Sequence, residues 1–251
     1  MVACQVGAAI LEYLGEKDTS VYTSFAQKAL SAIESQGWKK DHYIVTLTKK
    51  MDGLIDPWSR EPLKGNLEGW DAYHIYTENG LALLDMTGYD CGLSLERLKK
   101  DIETSIENTL GKYGCRHTSY LNENPANSGI QGFVSAGMKL GWVSMNILRD
   151  IAACYRGIDL LSLSNRYWDW QSTTNTREYV GFFETFYGNN LNFYPRGVAI
   201  FGYLDASVGF IYDKVNKIKA FNPVRASLKV PLYLFADWHK GCAPYVKTWL
   251  T

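Results

Sequence analysis

Apolar side chains recur at helical spacing from the start of the chain. Within residues 2–14 they fall on one face of a helix, namely Val2, Val6, Ala9, Ile10, Tyr13 and Leu14. Gly15 is suited to end this helix, and Thr19 or Ser20 can cap a second helix that ends near Gly37. The second helix carries apolar side chains at Val21, Phe25, Ala29 and Ile33. The pattern predicts a helical hairpin.

Four more helices are predicted, with long connections between some of them. We expect these helices at about residues 78–86, 94–110, 135–156 and 196–208. Gly88 and Gly111 fit the ends of the first two, and Pro195 fits the first turn of the last. The long connections are residues 38–77, which include a β-like stretch at 43–47, 112–134, and an aromatic loop at 164–194. Connections of this length inside a compact domain are usually functional.

The last part of the chain changes to the alternation of apolar and polar residues that is typical of strands. It holds the stretches Phe210–Tyr212, Ile218–Phe221 and Leu228–Phe235. We therefore predict a mainly α fold, with a helical portion over residues 1–208 and a small β-like element over residues 209–251 that packs on it. Successive long helices are typical of part of an (α/α) barrel, but also of other helical arrays and solenoids, which periodicity does not separate.

Composition narrows the function classes. Lys plus Arg equals Asp plus Glu, at 26 each, so the charge balance does not suggest a nucleic-acid partner. The five cysteines occur singly, which favours neither a disulfide framework nor a zinc site and predicts a cytoplasmic protein. We identify no secretory signal and no apolar run long enough for a membrane span. Eight Trp and 17 Tyr provide many aromatic faces of the kind that suits sugar rings and protein cores alike.

One segment combines carboxylates with aromatic side chains. Glu68, Asp71 and Glu78 lie within eleven positions of one another, interspersed with Trp70 and His74. Glycoside hydrolysis needs one carboxyl that is held protonated by an apolar setting and a second that is ionised. We therefore take Asp71 and Glu78 as candidate catalytic residues and Trp70 and His74 as candidate substrate contacts. The alternative is that Asp71 or Glu78 caps the following helix.

A second segment carries four further candidates for substrate binding. Trp168 and Trp170 are two positions apart and would share a face in an extended loop. Glu184 and Arg196 could hydrogen-bond sugar hydroxyls, or could form an ion pair that fixes a loop. The four histidines have no metal-ligand spacing, and no nucleotide-binding motif occurs. We expect neither a metal nor a cofactor.

Several short motifs resemble one group of enzymes. They are Trp38–Tyr43, Tyr76–Leu81, Lys139–Leu148 and Tyr194–Phe201. In this order they resemble the C-terminal part of glycoside hydrolase families 52 and 116, which are β-xylosidases and β-glucosidases and include glucosylceramidase-like enzymes. The resemblance implies an (α/α)6 barrel and retaining hydrolysis by two carboxylates, usually ~5–5.5 Å apart. It also implies that Arg196, and more loosely Glu184, binds the sugar.

The chain departs from these families in what it lacks. Their nucleophile lies well before the matching region, and in the register that fits most motifs the acid lies just before Met1. In an alternative register Asp71 is the general acid. About six long helices are predicted, half of the twelve in such a barrel, so we expect a partner polypeptide or a homo-oligomer to cover the open side.

The leading functional hypothesis is the C-terminal, sugar-binding part of a retaining exo-β-glycosidase, and whether the chain is an enzyme by itself stays open. One alternative is a non-catalytic carbohydrate-binding or scaffold subunit of a split glycosidase. Another is a different helical-barrel sugar enzyme, such as an epimerase or lyase, which would use a histidine rather than paired carboxylates.

Overall fold

The computed structural model describes most of the chain. The described residues are 1–44, 55, 60, 72–75, 79–116, 118–120, 141–174, 186, 199–232, 235–237 and 239–248. About half of them are helical, and the strands among them form small two-stranded antiparallel sheets. The prediction of a mainly α fold is confirmed at this level. Within these ranges, no helix combines the length and the apolar composition that a membrane crossing requires.

The first two helices form the predicted hairpin. Helix α1 spans Val2–Tyr13 and helix α2 spans Ser20–Ala32, and the two pack against each other. A π-helical turn, Ile33–Gly37, extends α2 to the predicted end. The buried residues of the two helices are Ala8 and Ala26.

The next two helices end where local signals place them, and the second also begins there, whereas the first begins at Ala82 rather than at the predicted residue 78. Helix α3, Ala82–Thr87, ends at Gly88, whose φ of 73° lies in the left-handed region that glycine adopts without strain. Helix α4, Leu95–Thr109, begins after Ser94, whose Oγ accepts a hydrogen bond from the backbone N–H of Arg97 at 3.3 Å. Both predicted boundaries of the helix that follows Ser94 are confirmed to within two residues.

Helix α5, Val143–Tyr155, lies at the centre of the largest apolar cluster and contacts α3 and α4. Its side chains are buried on nearly every face, including Ile147 and Ile151, which are at most 2% exposed. The predicted start of this helix at residue 135 lies outside the described residues. A short helix α7, Gly202–Ser207, packs against α5 and corresponds to the end of the last predicted helix.

The predicted aromatic loop is wrong over its first residues. Helix α6, Leu163–Asp169, continues directly into a π-helical turn, Trp170–Thr174. The reason is a helical spacing of buried side chains, since Leu163, Tyr167 and Trp170 follow one another at intervals of four and three residues. A strand would place the last two of these on different faces, and only a helix buries all three against one core.

Four antiparallel strand pairs complete the described fold. Strand β1, Trp38–Lys39, pairs with β2, His42–Tyr43, and β3, Ala72–His74, pairs with β4, Thr118–Tyr120. In the C-terminal part, β5, Ile211–Asp213, pairs with β6, Ile218–Ala220, and β7, Lys229–Pro231, pairs with β8, Tyr245–Lys247. The strand character of this region is confirmed, while most of the predicted β-like stretch at 43–47 lies outside the described residues.

The C-terminal strands have an apolar cluster of their own next to the helices. It contains Val208, Phe210, Val230 and Leu232, with Leu204 of α7 packed against it. The hydroxyl of Tyr155, at the end of α5, donates a hydrogen bond of 2.8 Å to the carbonyl oxygen of Phe210. The strands are therefore attached to the central helix as well as to α7.

The burial of the cysteines makes a testable difference in their reactivity. Cys242 is exposed and Cys4 half-buried, whereas Cys91, Cys115 and Cys154 are buried. Burial raises the pKa of the Cys154 thiol to about 12 and also raises the pKa of Cys91, so the reactive thiolate is scarce at pH 8. We expect iodoacetamide at pH 8 to label Cys242 and Cys4 in the folded protein, and the other three only after unfolding.

Peptide mass spectrometry on samples labelled with and without denaturant would measure this. Labelling of Cys154 in the folded protein at the rate of Cys242 would contradict the burial of the central helix.

Candidate functional site

Five of the predicted site residues lie outside the described part of the chain. They are Trp70, Asp71, Glu78, Glu184 and Arg196. Their catalytic and substrate-binding roles stay predictions. The structure does describe His74, Trp168 and Trp170, and it describes residues next to the others in sequence.

His74 holds a buried strand in place. Its side chain is 6% exposed, and its Nε2 lies 3.1 Å from the carbonyl oxygen of Tyr43. The carbonyl oxygen of His74 accepts a hydrogen bond of 2.7 Å from the Ser105 hydroxyl. These contacts connect β3 to β2 and to α4. His74 therefore positions the segment that follows it along the chain.

The two tryptophans point in different directions. The expectation that they share a face in an extended loop is wrong, because residues two apart on a helix are about 200° apart around its axis. Trp168 is 70% exposed, whereas Trp170 is 5% exposed and packs edge-on against Phe186 at a centroid distance of 5.2 Å. Of the three described candidates, Trp168 alone has a ring largely open to solvent.

Two segments next to predicted site residues are anchored at the first turn of α5. The Asn79 side-chain amide donates a hydrogen bond of 3.2 Å to the carbonyl oxygen of Met145. The backbone N–H of Phe186 donates one of 2.8 Å to the carbonyl oxygen of Gly141. Gly141 lies two residues before α5 and Met145 lies in its first turn, so both anchors are at the N-terminal end of this helix.

A third connection is fixed at the same end of α5. Asn146 is fully buried, and its side-chain oxygen accepts a hydrogen bond of 2.8 Å from the backbone N–H of Cys115. Its side-chain amide donates one of 3.0 Å to the carbonyl oxygen of Cys115. The ring of Phe186 lies so close to Gly114 that a Cβ there would be 2.4 Å from the ring. The segments around residues 79, 115 and 186 therefore meet at one place.

A fully buried polar network lies one turn further along α5. Arg149 Nε donates a hydrogen bond of 2.7 Å to Asp150 Oδ1, and these side chains are 1% and 0% exposed. The hydroxyls of Tyr167 and Tyr203 each donate a hydrogen bond of 2.6 Å to Asp150 Oδ2. Since the tyrosines belong to α6 and α7, one carboxylate joins three helices.

The pKa shifts in this network favour a positioning role for the Asp150 carboxylate over a catalytic one. Burial raises the pKa of the Asp150 carboxyl, while the adjacent Arg149 and the tyrosine hydroxyls act in the opposite direction. Burial and the charge of Asp150 raise the pKa values of Tyr167 and Tyr203 well above the ordinary value, so both keep the protons that they donate. Both carboxylate oxygens are thus occupied by protein donors.

Sequence reasoning missed this network, although a signal for it exists. Arg149 and Asp150 are the only charged residues in α5, whose other positions are apolar or small and polar. Charged residues in the middle of a helix that is apolar on all faces are expected to be buried, and buried charges are normally paired. The partner tyrosines are distant in sequence and have no signature of their own.

A cavity of about 470 Å³ lies at the opposite end of α5. Asp85 and Arg156 line it and form a bidentate ion pair, with contacts of 2.5 and 3.1 Å. Burial raises the pKa of Asp85, and the Arg156 guanidinium opposes that change. The guanidinium also donates to the carbonyl oxygen of Ala152 at 2.8 Å, so its donors are largely engaged within the protein. Of the predicted site residues that the structure describes, none lines this cavity.

The residues that the structure describes contain no cluster of three or more histidine, cysteine or carboxylate side chains able to hold a metal ion. What the arrangement around α5 can do is hold loops. It fixes three connections at the N-terminal end of α5. The Asp150 network, one turn further along, joins α5 to α6 and α7.

Substitutions in the Asp150 network should lower the free energy of unfolding by different amounts, depending on which side chain is removed. Asp150→Ala would leave the buried Arg149 guanidinium without its counter-charge, and we expect it to lower the free energy of unfolding by about 3–5 kcal/mol. Tyr203→Phe removes one hydrogen bond to a charged group and should lower it by about 2 kcal/mol. Urea denaturation followed by circular dichroism measures both.

The matched control is Glu103→Gln in α4, where the side chain is exposed. A surface substitution of this kind is expected to change the stability by less than about 0.5 kcal/mol. If Asp150→Ala were as mild as this control, the buried network would not hold the three helices together.

No known protein family, curated protein or solved structure matches this chain. Function is therefore inferred from the contacts of the described residues and from the sequence.

Proposed function

We propose that this chain is the C-terminal, sugar-binding part of a retaining exo-β-glycosidase of the β-xylosidase or β-glucosidase type, built on an (α/α)6 barrel. The observation that carries the proposal is the meeting of three connections at the first turn of α5, through Asn79, Cys115 and Phe186. Asn79 and Phe186 are close neighbours in sequence of a candidate catalytic residue, Glu78, and a candidate sugar contact, Glu184. Loops held on rigid helices are where binding residues are commonly found.

Few residues separate the anchoring residues Asn79 and Phe186 from the nearest candidate site residues. Glu78 directly precedes Asn79, and Glu184 is two positions before Phe186. Because each residue spans at most about 3.6 Å of chain, we expect both carboxyl groups to lie near the same end of α5. This would suit a glycosidase, since a candidate catalytic carboxyl group and a candidate sugar-binding carboxylate must reach the same sugar.

The aromatic side chains support a carbohydrate ligand. Trp168 offers an indole ring that is 70% exposed, two residues before Trp170, which is buried against Phe186. Exposed indole rings suit the C–H faces of sugars, because they are large and apolar and carry one hydrogen-bond donor. Arg196 would add a planar fork of donors for sugar hydroxyls.

In this proposal the roles divide between reacting and positioning groups. Asp71 and Glu78 are the candidates for the carboxyl group that protonates the leaving oxygen, with Trp70 and Glu184 binding the sugar. Asp150 is a positioning residue, since its oxygens bind Tyr167 and Tyr203 rather than substrate. The nucleophile and the remaining barrel helices would come from a partner polypeptide or a second copy of the chain. Five free cysteines are in keeping with a cytoplasmic setting.

The first experiment measures sugar binding and hydrolysis on one purified sample. We expect the chain to bind xylosides or glucosides, detected by calorimetry, and Glu184→Gln and Arg196→Met to weaken this binding roughly 10- to 100-fold. Any hydrolysis of aryl β-xyloside or β-glucoside should fall about 10²- to 10⁴-fold in Asp71→Asn or Glu78→Gln. The control is Glu103→Gln, which lies on the exposed face of α4.

The alternatives give different results. Binding without hydrolysis, even after the missing barrel half is supplied, would indicate a non-catalytic carbohydrate-binding subunit. Activity that depends on His74 but not on Glu184 or Arg196 would indicate an epimerase or lyase instead. A folded chain that binds no sugar would contradict the proposal outright.

A further inference from the structure

The cavity at the C-terminal end of α5 has the volume of a small-molecule site. Its volume of about 470 Å³ lies within the ~300–1,000 Å³ that is common for ligand pockets in proteins. Residues of α3, α4, the end of α5, strand β5 and the connection between α3 and α4 line it. The anchors of the proposed sugar site are at the other end of α5, about 20 Å away along the helix.

Arg156 has two unused hydrogen-bond donors at this cavity. Three of its five N–H groups are engaged, because Nη1 donates to Asp85 Oδ2 and to the carbonyl oxygen of Ala152, and Nη2 donates to Asp85 Oδ1. The other two, on Nε and Nη2, have no acceptor within the described part of the chain, and Nε is not fully buried. These two N–H groups point in the same direction along one edge of the guanidinium. Such a parallel pair matches the two oxygens of a carboxylate.

Asp90 adds a carboxylate to the wall of the same cavity. Its Oδ1 accepts a hydrogen bond of 2.8 Å from the backbone N–H of Gly92, and its Oδ2 has no donor among the residues that the structure describes. Burial raises the pKa of the Cys91 thiol in this wall, and the charge of Arg156 opposes that change. Asp90 and Asp85 raise the same pKa further, so all three charged groups lie close to this thiol.

The charges of the wall favour a ligand that carries charges of both signs. With both carboxylates ionised, Asp85, Asp90 and Arg156 together have one net negative charge. A ligand with only a carboxylate would be repelled by Asp90, and a ligand with only an ammonium group would leave the open edge of Arg156 unpaired. A ligand with both groups finds a partner of opposite charge for each.

The apolar side chains of the wall are mainly branched aliphatic ones, with two tyrosines beside them. They are Leu93, Leu95, Leu98, Ile211, Tyr89 and Tyr155. Branched aliphatic side chains gain free energy when an apolar group covers them, and Leu95 is 49% exposed. The hydroxyl of Tyr155 is already engaged by the carbonyl oxygen of Phe210. This wall therefore suits an apolar group that is attached to the two charged groups of the ligand.

We propose that this cavity binds a free amino acid with a large apolar side chain. The carboxylate of the ligand accepts hydrogen bonds from the open edge of Arg156, and its ammonium group donates to Asp90. Its side chain packs against the leucines and Ile211. The inference goes beyond the proposed glycosidase function and does not rest on it, because the two sites are at opposite ends of α5.

Isothermal titration calorimetry of the purified chain with L-leucine tests the proposal. We expect a dissociation constant between about 10 µM and 1 mM. Leucinamide lacks the carboxylate, isocaproate lacks the ammonium group and glycine lacks the apolar side chain, so each should bind at least about 5-fold more weakly. The proposal would be overturned if leucine did not bind at concentrations up to about 10 mM, or if any of these three compounds bound as tightly as leucine.

The variant Asp90→Asn tests where leucine binds. It keeps an oxygen that can accept the Gly92 N–H, so the turn should be kept. We expect it to weaken leucine binding about 3- to 10-fold and to strengthen isocaproate binding, because it removes an attraction in the first case and a repulsion in the second.

The matched control is Asp18→Asn. Asp18 is exposed, and its Oδ1 accepts a hydrogen bond of 3.0 Å from the Ser20 N–H in the same kind of turn, but it does not line the cavity. This variant should change neither affinity. If Asp90→Asn left leucine binding as unchanged as this control does, or weakened leucine and isocaproate alike, the proposed site would be wrong.

Discussion

The Asp150 carboxylate is the interaction on which the arrangement of the central helices depends. It lies on α5 with no solvent exposure, and it accepts hydrogen bonds from the guanidinium of Arg149 and from hydroxyls on α6 and α7. A buried charge is costly unless its oxygens are filled, and here each oxygen has at least one donor. The orientation of α6 and α7 about α5 is therefore tied to a polar contact as well as to apolar packing, which is less directional.

The anchors at the first turn of α5 depend on this support. Asn79, Cys115 and Phe186 hold three connections to backbone or side-chain groups of residues 141–146. Fixed connections matter for a binding site because small displacements of the groups that touch a substrate have large effects on rate. In a sugar site at the N-terminal end of α5, these three connections would already be fixed before any ligand binds.

Local signals in the sequence predicted a good part of this fold. Ser94 and Gly88 mark helix boundaries because their preferred backbone conformations and hydrogen bonds involve only nearby residues. The pairing of β3 with β4 could not be predicted, because it joins Ala72 to Tyr120 across a long stretch of sequence.

The helix over Trp168 was missed because its aromatic residues were interpreted as a loop, although Leu163, Tyr167 and Trp170 have helical spacing. Of the candidate site, sequence proposed Trp168, whose ring is open, but it did not distinguish Trp168 from the buried Trp170. Nor did periodicity separate buried from exposed apolar positions on α2, where Val21 and Phe25 are 77% and 58% exposed.

The adjacency of Arg149 and Asp150 has a consequence for how the core can be assembled. Because the two charges are neighbours on one helix, α5 carries its own counter-ion and is electrically neutral at this point. The contributions from α6 and α7 are uncharged hydroxyls. An interruption of the chain between α5 and α6 would therefore keep Arg149 and Asp150 together on one fragment. Polar cores of this kind are compatible with assembly from separate polypeptides, because neither polypeptide has to bring an unpaired charge into the shared interior.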